Sequence, residues 1–352
     1  MGCEMRNFIL WASRKLNYPL APPQVMQISL TYGCNLRCRM CSIANLLPGE
    51  EELSADQIFH IVDEAKNYGI KEVLLTGGEP FLRKDIFEIC DYVHKNGLRS
   101  IITTNGAIID DAVAEEIVRA KINHIHVSLD GLEETNDFFR GSGTFKKIIN
   151  AINILNQKRA NNHPFSSGIA CTVMDKNVNE LCEIVKFADN LNIDVINFQP
   201  LVSNNANFLD KNLPDFWVKE KELPALAQEI KKIKTYMPKH TIILEEPPLE
   251  LLVKYYKKEL TKKDWVCFGG FKTVFICYSK KQPLVYSCHG ICGNLNQVSL
   301  KKAWRSKEAY GLRMHSRRCK DLCIQSCYSD YAAQGLGSSI RLDIKEMRGN
   351  AK

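Results

Sequence analysis

What the sequence lacks narrows its class first. No apolar run approaches the roughly 18–20 residues that a membrane-spanning helix needs. The opening residues do not follow the basic, apolar and small-residue order of a secretory signal. A cytoplasmic protein is therefore expected, with no transmembrane segment. Long blocks of like charge are missing too. A net charge of +7 over 352 residues is mild, and lysines recur across helix faces at Lys231, Lys232 and Lys234, then at Lys254, Lys257 and Lys258. That spacing fits a solvated surface rather than a nucleic-acid groove, so no nucleic-acid partner is expected. No internal repeat is visible beyond a strand–helix alternation.

Cysteine, by contrast, is plentiful, with 14 in the chain. Disulfide scaffolds are usually short, and the long helical and strand patterns here need no staples. In a reducing compartment clustered cysteines point instead to metal or redox chemistry.

Six strands are read at Val25–Leu30, Lys71–Thr76, Leu98–Thr103, His124–Leu129, Gly168–Val173 and Asp194–Gln199, with amphipathic helices between them. Ser54 and Gln57 form a capping box for the helix that Gly69 ends. Gly97 stops the next helix, and Asn177 is read as the cap of the last one. The pattern is α/β with a parallel sheet, either a curved open barrel or a flat doubly wound sheet. In both, ligands gather at the C-terminal ends of the strands. After polar Ser203–Asn212, helices are expected near Trp217–Tyr236 and Leu249–Leu260. From Trp265 the chain becomes rich in cysteine and glycine. The expected segments are 1–24 before the sheet, 25–205 for the α/β domain, 206–262 for a helical linker, 263–331 for the cysteine-rich domain and 332–352 for a tail.

The first strand runs into Thr31-Tyr32-Gly33-Cys34-Asn35-Leu36-Arg37-Cys38-Arg39-Met40-Cys41, a C-x3-C-x2-C spacing in one loop. Four donors close a structural zinc site, and an ordinary iron–sulfur cluster takes four thiolates. Three thiolates on a cubane leave one iron free to bind something else. A zinc loop with a distant fourth ligand is the alternative. After the second strand stands Gly77-Gly78-Glu79-Pro80, where two glycines let the backbone approach a ligand closely.

Together these motifs resemble the radical S-adenosylmethionine (SAM) superfamily over residues 25–200. The resemblance implies a partial (β/α)6 TIM-like barrel and a catalytic [4Fe–4S] cluster on Cys34, Cys38 and Cys41. In that family the free iron chelates SAM, and an electron from the cluster cleaves it to a 5′-deoxyadenosyl radical that abstracts a substrate hydrogen. An external electron donor, a flavodoxin or a ferredoxin, is implied. Met40 takes a place that is commonly aromatic in the family, near the adenine. Gly77, Gly78, Glu79 and Pro80 resemble the motif that meets the SAM amino group, with the Glu79 carboxylate as acceptor. Thr103-Thr104-Asn105-Gly106 and Ser128-Leu129-Asp130-Gly131 resemble the family's polar strand ends, which marks Thr104 and Asn105, and Ser128 for the ribose. Arg140 resembles the arginine paired with the SAM carboxylate, and Gln199 and Leu201 are placed on the adenine side.

Seven further cysteines lie at 267, 277, 288, 292, 319, 323 and 327. Tyr286-Ser287-Cys288, Gly293-Asn294-Leu295 and Trp304-Arg305-Ser306 resemble the SPASM/Twitch extension of that superfamily, which carries one or two auxiliary [4Fe–4S] clusters. The terminal C-x3-C-x3-C departs from a full SPASM domain. One auxiliary cluster rather than two is thus expected, on Cys267 and Cys288 with two of Cys319, Cys323 and Cys327. A zinc ribbon on the same thiolates is the alternative. Cys90, Cys171 and Cys182 fall on apolar faces and read as packing residues. Cys277 and Cys292 are read as either ligands or small hydrophobes.

Phe8-Ile9-Leu10-Trp11 lies in a short amphipathic stretch, expected to pack against the barrel bottom, with peripheral membrane contact as the alternative. Gly2-Cys3 is followed by Arg6 where myristoylation needs Ser or Thr. The stretch is also short for a separate leader-peptide domain. The substrate is expected to be a peptide or protein, in a thioether-forming, epimerising or oxidising maturase. Cofactor or small-metabolite biosynthesis follows closely. A non-enzyme, either an iron–sulfur electron carrier or a metal-stabilised binding protein, would need no SAM pocket.

Overall fold

The computed structural model describes residues 3–41, 43, 51–160, 165–202, 216–245, 247–288, 290–320 and 322–325. Hydrophobic alternation decides its layers. In β1 (Val25–Thr31) Met26, Ile28 and Leu30 are buried, whereas Val25, Gln27 and Ser29 are half-buried. One face of the strand is sealed by helices and the other lines a partly open interior. The same alternation shapes β2 (Glu72–Gly77), β3 (Arg99–Thr104), β4 (His124–Ser128), β5 (Ser166–Val173) and β6 (Val195–Pro200). Each pairs in parallel with the strand before it.

After α1 (Cys3–Leu16), the crossovers carry α2 (Ala55–Tyr68), α3 (Ile86–Lys95), α4 (Asp111–Arg119), α5 (Glu133–Arg140), α6 (Thr144–Ala160) and α7 (Leu181–Asn190). The architecture is the expected TIM-like partial barrel. Helix α2 shows why the local reading works. Ser54 and Gln57 satisfy each other's backbone N–H groups, Gly69 ends the helix in the left-handed region, and Ile58, Ile61, Val62 and Ala65 form its buried stripe. Cys90, Cys171 and Cys182 are all buried in the main core.

Several elements differ from expectation. Asn177 does not cap α7, which begins four residues later. Its amide instead donates to the carbonyls of Asp130 (2.9 Å) and Thr172 (2.7 Å), joining the loops after β4 and β5. Helix α8 (Leu223–Thr235) starts later than expected, with a proline in its first turn where a missing N–H costs nothing. Between α8 and α9 (Glu250–Tyr256) a three-residue strand, β7 (Ile242–Leu244), adds parallel to β6. It is too short for alternation to announce.

The cysteine-rich segment continues the barrel's own sheet. β8 (Thr273–Ser279) pairs in parallel with β1, and β9 (Gln282–Ser287) and β10 (Gly290–Asn294) follow in antiparallel pairing. The order is β10-β9-β8-β1-β2-β3-β4-β5-β6-β7. Helices α10 (Leu300–Trp304) and α11 (Lys307–Arg318) cover this edge. Helix α1 lies between the two regions. Leu10 packs on Phe268 and Phe271, and a cavity of about 390 Å³ separates the helix from the strand starts at Gln24 and Glu72. Phe8 and Trp11 stack on its outer side, with Phe8 49% exposed. Among the described residues, no helix is long and apolar enough to cross a membrane.

Candidate active site

The cysteine loop leaves β1 at its C-terminal end and is locked from below by the loop after β2. Gly78 N–H donates to the Thr31 carbonyl at 2.7 Å, and Glu79 N–H donates to the Gly33 carbonyl at 2.8 Å. A Cβ on Gly77 would stand 2.2 Å from the Thr31 carbonyl oxygen, and one on Gly78 2.1 Å from that of Gly33. The two glycines are required by the cysteine loop's own backbone, not by a ligand alone. Arg83, which sequence reading passed over, braces the same junction. Its buried guanidinium donates to the carbonyls of Leu30 (2.9 Å) and Leu53 (3.1 Å) and pairs with Asp85 at 2.6 Å.

Glu79, expected to accept from the SAM amino group, is engaged within the chain. The side chain is 0% exposed. Its oxygens accept from the Thr104 hydroxyl (2.8 Å), Asn105 N–H (2.7 Å) and Phe81 N–H (3.2 Å). It therefore ties the end of β2 to the end of β3 and caps the 3₁₀ turn Pro80–Leu82. Burial raises its carboxyl above the usual range, opposed by the Asn105 and Thr104 hydrogen bonds. Thr104 is accordingly consumed in structure. Asn105 reaches the cysteines: its side-chain amide donates to Asn35 Oδ1 at 2.8 Å and approaches Cys34 Sγ at 3.7 Å.

The three thiols are half-buried and lie within electrostatic reach of one another. Burial pushes Cys34 up and Cys38 to about 11, while Arg140 opposes the Cys38 shift. Leu36 N–H donates to Cys34 Sγ at 3.4 Å. Three thiols supplied by one loop suit a cubane, whose ligands sit on different irons and which then keeps one iron open. The donor set fits a three-cysteine cluster.

On the far side of the loop Arg39 N–H donates to the Phe139 carbonyl at 2.8 Å. Met40 and Leu201 enter one apolar cluster with Phe138, Phe139, Met174 and Phe216. The two residues assigned to the adenine side from distant parts of the sequence thus share a wall, of which the aromatic members were not foreseen. Tyr255 and Tyr256 hydroxyls hold the Leu201 backbone, each at 2.9 Å. Arg140, at the end of α5, is buried and pairs with Asp130 at 2.6 Å, and Asp130 in turn accepts from Thr172 N–H at 2.8 Å. The guanidinium is therefore anchored within the chain. Ser128 and Gln199 are half-buried at the ends of β4 and β6, in register with Ala170 and Thr172.

In the cysteine-rich region, Gly269 N–H donates to Cys267 Sγ at 3.2 Å. A Cβ on Gly269 would stand 3.2 Å from that sulfur and 3.4 Å from Cys288 Cβ, so the glycine leaves a cradle between the two cysteines. Cys319 lies within electrostatic reach of Cys267, and Cys323 within that of Tyr255. Cys327 lies outside the described residues. Cys292 is buried and contacts the Val285 carbonyl at 3.5 Å, as a packing residue would. Cys277 is half-buried, 3.6 Å from Ser29 Oγ.

Comparison with known proteins gives three kinds of match. A family model described as "Radical SAM superfamily" matches residues 28–188. An AdoMet-dependent heme synthase of Methanosarcina barkeri is 28% identical over 320 residues, covering 86% of this chain and 87% of its own. A protein of Pyrococcus abyssi described as "Probable GTP 3′,8-cyclase" is 30% identical over 216 residues, 60% of this chain and 69% of its own. Among solved structures, Streptococcus suis SuiB bound to its precursor peptide SuiA superposes with a TM-score of 0.66 at 18% identity, over 85% of this chain and 68% of SuiB.

Proposed function

The chain belongs to the radical SAM superfamily, an enzyme family that uses a [4Fe–4S] cluster and SAM, and we propose that it abstracts a hydrogen atom from a small cofactor precursor held inside its barrel. When bound, the cluster supplies the electron that cleaves SAM reductively. The observation that carries the reading is the loop itself: three thiols at the end of β1, fixed by backbone bonds to the loop after β2. Cys34, Cys38 and Cys41 hold the cluster in this reading. Asn105 orients Cys34, Met40 and Leu201 flank the adenine, and Ser128 meets the ribose. Arg140, anchored by Asp130, lends positive charge to the site, and Gly77–Pro80 hold the loop's shape. Cys267, Cys288 and Cys319, with Cys323 or Cys327, hold an auxiliary cluster. An external one-electron donor such as a flavodoxin or ferredoxin supplies the electrons.

The substrate class rests on length. The heme synthase is similar almost end to end, and the GTP cyclase over two thirds of its length. A peptide or protein substrate is the second reading, supported by the fold shared with SuiB. The test is anaerobic reconstitution with iron and sulfide, followed by SAM and dithionite. Release of 5′-deoxyadenosine and methionine is expected from the native chain and not from Cys38→Ala. Cleavage by that variant would overturn the cluster assignment. Acceleration by an iron porphyrin but not by a cysteine-containing peptide would support the cofactor reading, and the reverse would favour the second.

A further inference from the structure

The N-terminal helix brings an arginine to the auxiliary cysteines. Arg14 Nε donates to the carbonyl of Cys267 at 2.8 Å, across 253 positions of sequence. Its guanidinium carbon lies 5.8 Å from the centre of the Phe268 ring. The helix holding it is fixed at several points. Leu10 is buried on Phe268 and Phe271, the Ser13 hydroxyl accepts from Leu20 N–H at 3.1 Å, and Asn17 donates to the Tyr310 carbonyl at 3.4 Å.

A second arginine lies beneath the same loop. Arg313 is 1% exposed and donates to the Trp304 carbonyl at 2.9 Å, while its Nε has no partner among the described residues. A Cβ on Gly270 would stand 2.5 Å from Arg313 Cγ, so this side chain underlies the turn after Cys267. Among the described residues the foremost ionisable neighbours of Arg14 are Cys267 and Arg317, and those of Arg313 are Cys292 and tyrosines. Half-buried Arg14 and buried Arg313 thus bring two positive charges to the loop that carries Cys267.

We propose that Arg14 is a positioning residue of the auxiliary centre, a fixed positive charge beside Cys267 that raises the centre's reduction potential. The inference rests on the auxiliary-cluster reading above. A centre ligated by four thiolates is anionic, and one-electron reduction makes it more so. A fixed cation nearby favours the reduced form more than the oxidised one. Arg14 fills this role better than Arg313 because it is bonded to the ligand residue itself and joins α1 to the redox site.

The test uses the full chain carrying Cys34→Ala, Cys38→Ala and Cys41→Ala, reconstituted with iron and sulfide. A redox titration followed by EPR then compares Arg14, Arg14→Gln and Arg14→Lys. Arg14→Gln should make reduction at least tenfold less favourable, a fall of 59 mV for a one-electron couple, with iron content unchanged. Arg14→Lys should restore more than half of that fall. An unchanged potential in Arg14→Gln, an equal fall in both variants, or loss of iron from both would each overturn the proposal. The native chain gives an independent readout, since SAM perturbs only the signal of the three-cysteine cluster and leaves the auxiliary one to be titrated. If neither chain shows an auxiliary signal while Arg14 is intact, the auxiliary-cluster reading fails rather than the role of Arg14.

Discussion

Replacing Glu79 by alanine tests whether the strand-end motif serves SAM directly or serves the loop that holds the thiols. In the structure the carboxylate is fully buried and accepts from the Thr104 hydroxyl and from the N–H groups of Asn105 and Phe81. Alanine leaves these three donors unpaired. A buried unpaired donor costs about 1–3 kcal/mol, so three set an upper bound near ~9 kcal/mol. Water entering the vacated space, and relief from holding a carboxylate out of water, reduce this to about 3–5 kcal/mol. Glu79→Gln keeps one acceptor but sets an amide N–H against a donor, and should fall between the two. The assay is urea unfolding of the reconstituted protein under anaerobic conditions, with iron counted in parallel. The expected result is a lower midpoint and lost iron in Glu79→Ala. A native midpoint and full iron, together with SAM binding weakened tenfold or more, would refute the reasoning and return the carboxylate to SAM.

Two further outcomes are expected. Gly78→Ala places a Cβ 2.1 Å from the Gly33 carbonyl oxygen, so it should displace the cysteine loop and remove one cluster's worth of iron while leaving the auxiliary EPR signal; retention of both signals would refute the contact. The edge-to-face pair His124 and His126, with ring centroids 4.2 Å apart, is held neutral, at about 4 and about 3, first by burial and then by Arg99 beside His124 and by His124 beside His126. Unfolded imidazoles take up protons below about pH 6.5 while the folded ones do not, so stability is level at alkaline pH and falls as pH drops, by about 3 kcal/mol for the pair at pH 5.5. Urea midpoints at pH 7.5 and 5.5 should differ less in a His124→Gln, His126→Gln double variant; an equal difference would refute the assignment.

What sequence reading recovered was local. The capping box of Ser54 and Gln57, the stop at Gly69 and the period-two alternation of β1 each depend on residues within a few positions. The three-cysteine spacing is local as well, since one loop supplies all its thiols. What it missed was made by distant pairing. The parallel contact of Val25–Ile28 with Thr273–Ile276 joins the cysteine-rich region to the barrel, and no pattern in either strand names its partner. The wall of Phe138, Phe139, Met174 and Phe216 around Met40 and Leu201 is assembled from four connections. Asn177 looked like a helix cap because asparagine favours that place, yet its amide is used to join two loops.

Gly77, Gly78 and Glu79 were singled out as ligand contacts by their resemblance to the family's strand-end motif. The geometry gives each a partner within the chain: the glycines meet the carbonyls of Thr31 and Gly33, and the carboxylate meets the end of β3. Arg140, chosen for a ligand carboxylate, is held by Asp130. Side chains that hold a reactive centre in shape from one layer out are as necessary as those that touch it, because a displaced thiol cannot ligate. They are also more costly to remove, since each leaves buried groups unpaired. A variant in this outer layer should therefore lose iron, and SAM affinity with it, whereas a variant at a SAM contact should lose affinity and keep its iron. Measuring iron content and SAM affinity in the same variants separates the two layers.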